Sequence, residues 1–134
     1  MSESKWISLF IDAAPARVYN FAGNPENLPR WASGLSGAVE KIGDSWVASS
    51  PMGKVRIAFA PRNEFGVLDH EVILDSGQKF LNPMRVVANG DGSEISFTLM
   101  RAPGMSDQDF AADEATIRKD LATLKSILEA KSDA

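Results

Sequence analysis

The sequence predicts a single α+β domain, spanning residues 1–134, in which an antiparallel sheet packs against one long C-terminal helix. Between residues 35 and 101, apolar and polar residues alternate with the period of two that is typical of half-buried strands. From Ser106 onwards, apolar residues recur at helical spacing instead. The length of 134 residues and the ordinary proportions of hydrophobic (44%) and charged (24%) residues fit one globular domain with one core.

Composition excludes several classes of function. The net charge is −4 and no run of Lys or Arg occurs, so a general nucleic-acid binder is not expected. The chain has no Cys and one His, which excludes disulfides, a thiolate nucleophile and most transition-metal sites, and no metal or cofactor is expected. The sequence shows neither a secretory signal pattern nor an apolar run of the ~20 residues that a membrane-spanning helix needs. These features predict a cytoplasmic protein that does not insert into membranes.

The N-terminal part predicts one strand followed by two short helices. The strand covers residues 4–12, and the residues of one face are aliphatic: Ile7, Leu9 and Ile11. Trp6 and Phe10 lie on the opposite face and predict that this face is also partly covered. The first helix opens at Pro15 and ends at Gly23. The second begins at residues 24–26 and runs to about Ser33.

Short β runs separated by turn signals follow the helices. The turn signals are Gly43-Asp44, Pro51-Met52-Gly53, Pro61-Arg62-Asn63, Ser76-Gly77 and Asn89-Gly90-Asp91-Gly92. The alternating runs between them include residues 55–59, 68–74 and 95–99. Together with the first strand they predict an antiparallel sheet of about seven strands, apolar on one face and polar on the other.

The C-terminal segment predicts one long amphipathic helix. Ser106-x-x-Asp109 resembles a capping box, and a helix of about 25 residues follows it. The apolar stripe consists of Phe110, Ile117, Leu121, Leu124 and Leu128. The charged residues, Asp120 among them, are expected to lie mostly off this stripe. Their mixed signs favour a helix that packs on a sheet over one that lies on a membrane surface.

This order of elements resembles the helix-grip fold. The segment VYNFAGNPENLPRW (residues 18–31) is similar to the helix pair of the SRPBCC (START-like, polyketide cyclase/dehydrase) superfamily, in which an apolar-aromatic helix runs into a D/N-P-E segment and a Trp. The segment NEFGVLDH (residues 63–70) and the terminal helix are also similar, so the resemblance covers nearly the whole chain. It implies a strongly curved sheet that grips the long helix, with an apolar cavity for a small hydrophobic molecule between them.

The resemblance and the strand parity together indicate which side chains would line that cavity. The candidate ligand-binding residues are Trp31, Ile57, Phe59, Leu68, His70, Val72, Arg85, Phe97 and Leu99. Trp31 would serve either as a wall of the pocket or as an anchor of its helix to the sheet. Arg85 would bind a carboxylate or stabilise an enolate if it pointed inward, although a solvated position on the outer face is favoured.

His70 is the candidate catalytic residue. Its imidazole would act as a general base or as a hydrogen-bond donor to a ligand carbonyl. The alternative is a core histidine whose hydrogen bonds are satisfied by the backbone. Its neighbours Asp69 and Glu71 point to the opposite face of the strand and are interpreted as surface charges.

Three hypotheses about function remain open. The leading one is a binding protein whose partner is a small hydrophobic molecule: aromatic, lipid-like or polyketide-like. The second is a polyketide cyclase/dehydrase-type enzyme in which His70 deprotonates a carbon next to a ketone. The third is a protein-interaction module similar to co-chaperone activators, which predicts an exposed apolar patch and a filled interior. Whether any reaction is catalysed, and the oligomeric state, are left open by the sequence.

Overall fold

The computed structural model describes residues 2–51 and 53–130, without the side chains of residues 36–38. Met52, in the turn predicted at residues 51–53, lies outside the described residues. The strands are β1 (Ser4–Ile11), β2 (Ser36–Ile42), β3 (Ser45–Ser50), β4 (Gly53–Phe59), β5 (His70–Leu74), β6 (Lys79–Asn82), β7 (Met84–Asn89) and β8 (Gly92–Met100). The helices are α1 (Pro15–Ala22), α2 (Leu28–Trp31), preceded by a short 3-10 helix (Pro25–Asn27), and α3 (Asp107–Glu129). The predicted α+β class, with two short helices after the first strand and a long C-terminal helix, is confirmed.

The described strands form two antiparallel sheets, one of three and one of five strands, so the strand count differs slightly from the predicted seven. One sheet has the order β1-β8-β7 and the other the order β2-β3-β4-β5-β6. The division falls at Pro83, between β6 and β7, because proline has no N–H to contribute to a ladder. On either side of it, β6 pairs with β5 and β7 pairs with β8.

The two sheets stay joined close to Pro83. The N–H of Leu68 donates to the carbonyl of Met84 at 2.8 Å, and the N–H of Thr98 donates to the carbonyl of Pro83 at 2.9 Å. Beyond these bonds β6 continues with the five-stranded sheet, whereas β8 continues with the three-stranded sheet. A gap therefore separates β6 from β8, and it bounds the site described below.

Helix α3 covers the inner faces of the sheets. The hydroxyl oxygen of Ser106 accepts a hydrogen bond from the N–H of Asp109 at 3.0 Å, as the capping pattern predicts. Lys5 on β1 pairs with Glu114 at 2.6 Å, which fixes the N-terminal half of the helix. Near its other end, the N–H of Asp12 donates to the carboxylate of Glu129 at 2.8 Å. Among the described helices, none combines the length and the apolarity that crossing a bilayer requires.

The outer face of β1 is largely open, and the partial cover predicted for it is found at Phe10 but not at Trp6. Ile7 and Ile11 are buried in the core as expected. On the other face, however, Trp6 is 69% exposed and Phe10 is 41% exposed. The ammonium group of Lys125 lies 5.7 Å from the ring centroid of Phe10. An aromatic residue such as Trp6 on a strand therefore does not by itself indicate that the strand face is covered there.

Candidate functional site

An apolar chamber lies between α2, α3 and the inner faces of the sheets. It has a volume of about 210 Å³ and adjoins a wider opening of about 570 Å³. The residues shared by the two walls are Val72, Asn82, Phe97, Thr116 and Ile117. These shared residues make the chamber and the opening adjacent parts of one recess.

The opening lies where β6 and β8 separate at Pro83. Phe80 and Leu81 contribute one side of it, and Leu99 with the segment 100–105 contributes the other. Asp113 of α3 stands at this opening, where burial, followed by the nearby charge of Asp109, raises the pKa of its carboxyl group. The division of the strand at Pro83 therefore exposes the interior on one side of the molecule.

His70 belongs to the inner chamber. The residue is 8% exposed, and its Nδ1 lies 3.0 Å from the backbone oxygen of Leu68. Because a carbonyl oxygen can only accept, Nδ1 carries the proton. Burial lowers the pKa of His70, and this effect outweighs the opposing influence of the Leu68 carbonyl and the Asp69 charge. At pH 7 the imidazole is therefore neutral, with its lone pair on Nε2.

Two phenylalanines hold the His70 ring in place. The ring centroid of Phe59 lies 4.8 Å from that of His70, with 30° between the planes. Phe97 approaches from another side with its edge, at 6.4 Å and 65°. Together with the Nδ1 bond, these contacts fix the orientation of the imidazole, while Nε2 forms no hydrogen bond within the described part of the chain.

Trp31 closes the chamber from the side of α2. The residue is 6% exposed, and its indole N–H is buried without a hydrogen-bond partner among the described residues. A buried donor that lacks a partner costs about 1–3 kcal/mol relative to a satisfied one. Trp31 is the one buried side chain in the described structure for which such an unsatisfied group is found.

Asp120 supplies a further polar side chain to the chamber wall. It is 7% exposed, and its Oδ1 accepts a hydrogen bond from the N–H of Ser33 at 3.1 Å. Burial raises the pKa of its carboxyl group, against the opposing effect of the Ser33 hydrogen bonds. Its burial corrects the expectation that Asp120 lies off the apolar stripe of α3. The sequence did carry the signal, since Asp120 stands three residues after Ile117 and four before Leu124, which is the spacing of one helix face.

The structure brings most of the candidate ligand-binding residues to this recess. Those in the wall of the chamber are Trp31, Ile57, His70, Val72 and Phe97, and Leu99 lies at the opening. Phe59 and Leu68 contribute indirectly, through the ring contact and the backbone oxygen that hold His70. That any of these residues contacts a ligand stays a prediction.

Arg85 does not belong to the recess, which corrects its place among the candidates. Its side chain is 54% exposed and pairs with Asp69 through two contacts of 3.0 and 3.2 Å. The flanking residues Met84 and Val86 are buried, so strand alternation turns Arg85 outward. The hydrogen bond from the Arg85 guanidinium lowers the pKa of Asp69, whose side chain is 24% exposed and also accepts a hydrogen bond from the N–H of Met84.

Metal-ligating clusters are not found among the described residues. No group of three or more His, Asp or Glu side chains comes together there in a way that could hold a metal ion. The polar groups of the chamber are instead single hydrogen-bonding groups in an apolar wall.

Comparison with known proteins identifies the architecture. No family model matches the chain, and no curated protein matches it. Among solved structures, a START superfamily protein from Mycobacterium smegmatis gives a TM-score of 0.73 at 12% identity, over 94% of this chain and 97% of that chain. The chain has the helix-grip fold.

Aha1 from Colwellia psychrerythraea shares the helix-grip fold with a TM-score of 0.75 at 14% identity, over 95% and 96% of the two chains. For Ara h 8.0201 the TM-score is 0.67 at 12% identity, over 96% and 98%. These TM-scores establish the helix-grip fold. At identities this low they say nothing about function, which has to be argued from the site itself.

Proposed function

We propose that this chain is a binding protein for a small, largely apolar molecule, which it holds in the chamber beneath α3. The observation that carries the proposal is the recess itself. Protein interiors are normally packed as densely as organic crystals, so an interior space with apolar walls needs a reason. Ligand sites typically combine such walls with a few polar groups that orient the ligand, which is the composition found around His70 and Asp120.

The walls favour an aromatic ligand within the class of hydrophobic molecules. The rings of Trp31 and Phe97 form part of the inner wall, and aliphatic side chains such as Ile57 and Val72 complete it. Offset or edge contacts between rings add to the gain from burial alone. The opening between β6 and β8 offers the ligand a route inward that leaves both sheets intact.

Native mass spectrometry of the freshly purified protein tests the proposal. We expect a non-covalent adduct that is lost on denaturation and can then be identified as a small molecule. Val72→Phe adds a ring at the chamber wall and should abolish the adduct, whereas Val87→Phe makes the same change on an exposed part of β7 and should keep it. Absence of an adduct, together with failure to bind an added bicyclic aromatic compound, would contradict the proposal.

A second candidate function is proton abstraction from a carbon next to a ketone. It is favoured by the neutral His70, whose Nε2 has no partner in the described structure and is free to accept a proton. The test is exchange of the acidic C–H of 2-tetralone in D2O, followed by NMR. Enzymatic abstraction predicts exchange faster than in buffer and its loss in His70→Phe. Equal rates with and without protein exclude this reaction for the probe.

The interaction-module hypothesis fits the structure less well. It predicts a filled interior, whereas the described residues enclose a recess. Its other element, an exposed apolar patch, has a counterpart in Trp6 and Phe10 on the outer face of β1. If the recess proved to bind no small molecule, the interaction-module hypothesis would fit the protein better than the binding hypothesis.

A further inference from the structure

We propose that the recess closes over a bound molecule when β6 continues the ladder of β7 along β8, with Leu81 paired opposite Met100. This inference rests on the proposed binding function and concerns how a ligand enters and leaves the same recess. The observation behind it is a pair of free strand edges that face each other across the opening at Pro83.

The free edge of β6 faces β8. The N–H of Leu74 donates to the carbonyl of Gln78 at 2.9 Å, and Val72 lies opposite Phe80 in the same register. Because hydrogen-bonded pairs recur at every second residue, Phe80 directs its backbone groups to β5, whereas Leu81 directs its own away from β5. Among the described residues, no hydrogen bond is found for the backbone N–H or carbonyl of Leu81.

The edge of β8 that faces β6 is free as well. The N–H of Arg101 donates to the carbonyl of Glu3 at 2.8 Å, so the odd-numbered residues near the end of β8 direct their backbone groups to β1. Met100 therefore turns its N–H and carbonyl towards the opening. Neither group forms a hydrogen bond within the described part of the chain.

The register of the existing ladder already fits a closed form. The N–H of Thr98 donates to the carbonyl of Pro83 at 2.9 Å, in continuation of the pairing between β7 and β8. Two residues further along each strand, Leu81 comes opposite Met100 in the hydrogen-bonded phase of that last bond. A hinge movement at Pro83 is therefore sufficient to form the next two bonds, without any shift of register.

Closure would cover apolar surface that is now open. Leu81 is 49% exposed and Met100 is 44% exposed, and as a ladder pair their side chains would share the outer face with Cα atoms about 5.5 Å apart. Some Cα atoms of β6 and β8 already lie within 8 Å of one another. On the inner side, Asn82 and Leu99, which both border the opening, would come together and complete the wall. The open form thus admits a ligand, and the closed form encloses it.

A pair of cysteines tests the closed form directly, because the chain has no Cys of its own. Under mild oxidation with copper phenanthroline, Leu81→Cys/Met100→Cys should form an intramolecular disulfide, since Cα atoms about 5.5 Å apart allow one. Val87→Cys/Glu94→Cys is the matched control, because these residues already form a pair between β7 and β8. Intact mass spectrometry measures both yields. A control pair that crosslinks while the Leu81/Met100 pair does not would overturn the closed form.

Binding of the bicyclic aromatic compound 2-naphthol connects the closed form to the recess. In stopped-flow measurements, oxidised Leu81→Cys/Met100→Cys should bind and release 2-naphthol at least about tenfold more slowly than its reduced form. Equal rates in the two forms would overturn the role of closure in ligand entry. If neither the reduced variant nor the unmodified protein binds 2-naphthol, the binding function fails, and the disulfide yield still decides whether the closed form exists.

Amide hydrogen exchange tests closure in the unmodified protein, even if a variant misfolds. With saturating 2-naphthol, the N–H groups of Leu81 and Met100 should exchange at least about tenfold more slowly, because closure gives both of them an acceptor. The N–H of Phe80 is the internal control, since it bonds to β5 in both forms and should change little. Unchanged exchange at Leu81 and Met100 while 2-naphthol is bound would overturn the proposal.

Discussion

The Nδ1 atom of His70 lies 3.0 Å from the backbone oxygen of Leu68, two residues earlier in the chain. This local contact decides which imidazole nitrogen carries the proton and therefore leaves Nε2 as the acceptor. Leu68 is itself held by the bond from its N–H to the carbonyl of Met84 at 2.8 Å. The junction between the two sheets thus sets the chemistry of the one histidine in the chain.

His70→Phe is expected to reduce the loss of stability in mild acid. Because burial holds the pKa of folded His70 below its ordinary value of 6.5, the unfolded chain takes up this proton first as the pH falls. The stability that neutral His70 contributes is fully present above pH 6.5. It is lost as the pH falls from 6.5 towards the pKa of His70 in the folded protein. One such proton changes the free energy of unfolding by at most about 1.4 kcal/mol per pH unit.

Urea unfolding at about pH 7.5 and about pH 5.5 measures this effect. The unmodified protein should lose more stability between the two values than His70→Phe does. Equal losses of stability would show that burial does not lower the pKa of His70 in the folded protein. Phe is a suitable replacement because its ring fits the existing contacts with Phe59 and Phe97.

Asp120→Asn is expected to stabilise the protein at neutral pH. Burial raises the pKa of folded Asp120 above its ordinary value of 3.8, so stability falls as the pH rises from that value through the pKa of the folded state. An amide keeps the oxygen that accepts from Ser33 and removes the buried charge. Thermal unfolding should show a gain at about pH 7 that shrinks towards about pH 4, while Asp91→Asn in the exposed β7–β8 turn should show little change at either pH.

Gly66→Ala is expected to destabilise the protein severely. Gly66 has a φ of 74°, and a Cβ atom there would lie 2.0 Å from the backbone oxygen of Val86. Gly77 also has a positive φ, of 90°, but a Cβ atom at that position would meet nothing within 4 Å. Gly77→Ala should therefore cost only the conformational penalty of about 1–2 kcal/mol for an L-residue at positive φ.

Urea unfolding of the two glycine variants separates steric conflict from backbone preference. We expect Gly66→Ala to lose several kcal/mol, because the clash forces apart the strands that hold Leu68. Its His70 signals should also shift, as the Leu68 carbonyl moves. A loss no larger than that of Gly77→Ala would contradict this account of the junction.

Local patterns predicted the elements well. The period of two in residues 95–99 and the cap at Ser106 are properties of neighbouring residues, and both reappear in β8 and α3. The division of the sheet at Pro83 depends on which strands pair across the molecule, and alternation carries no such information. The same limit explains why the predicted cover over Trp6 is not found, because an aromatic residue on a strand does not reveal whether any element covers it.

The site was predictable in outline only. Strand parity placed His70, Val72 and Phe97 on the inner face, where the structure has them. The unpartnered N–H of Trp31 could not be predicted, since it depends on which groups surround the indole in the folded chain. The burial of Asp120 was not predicted, because a charged residue is expected at the surface even when it stands on the apolar stripe of a helix such as α3.

NMR of His70 during titration with 2-naphthol tests the binding claim most directly. The chain contains one histidine, so its ring nitrogen signals need no assignment by mutation. We expect an Nδ1-protonated neutral ring whose Nε2 signal shifts saturably with 2-naphthol in the unmodified protein and in Val87→Phe, but not in Val72→Phe. An Nε2 signal that stays unchanged up to the solubility limit of the probe would contradict binding in the chamber.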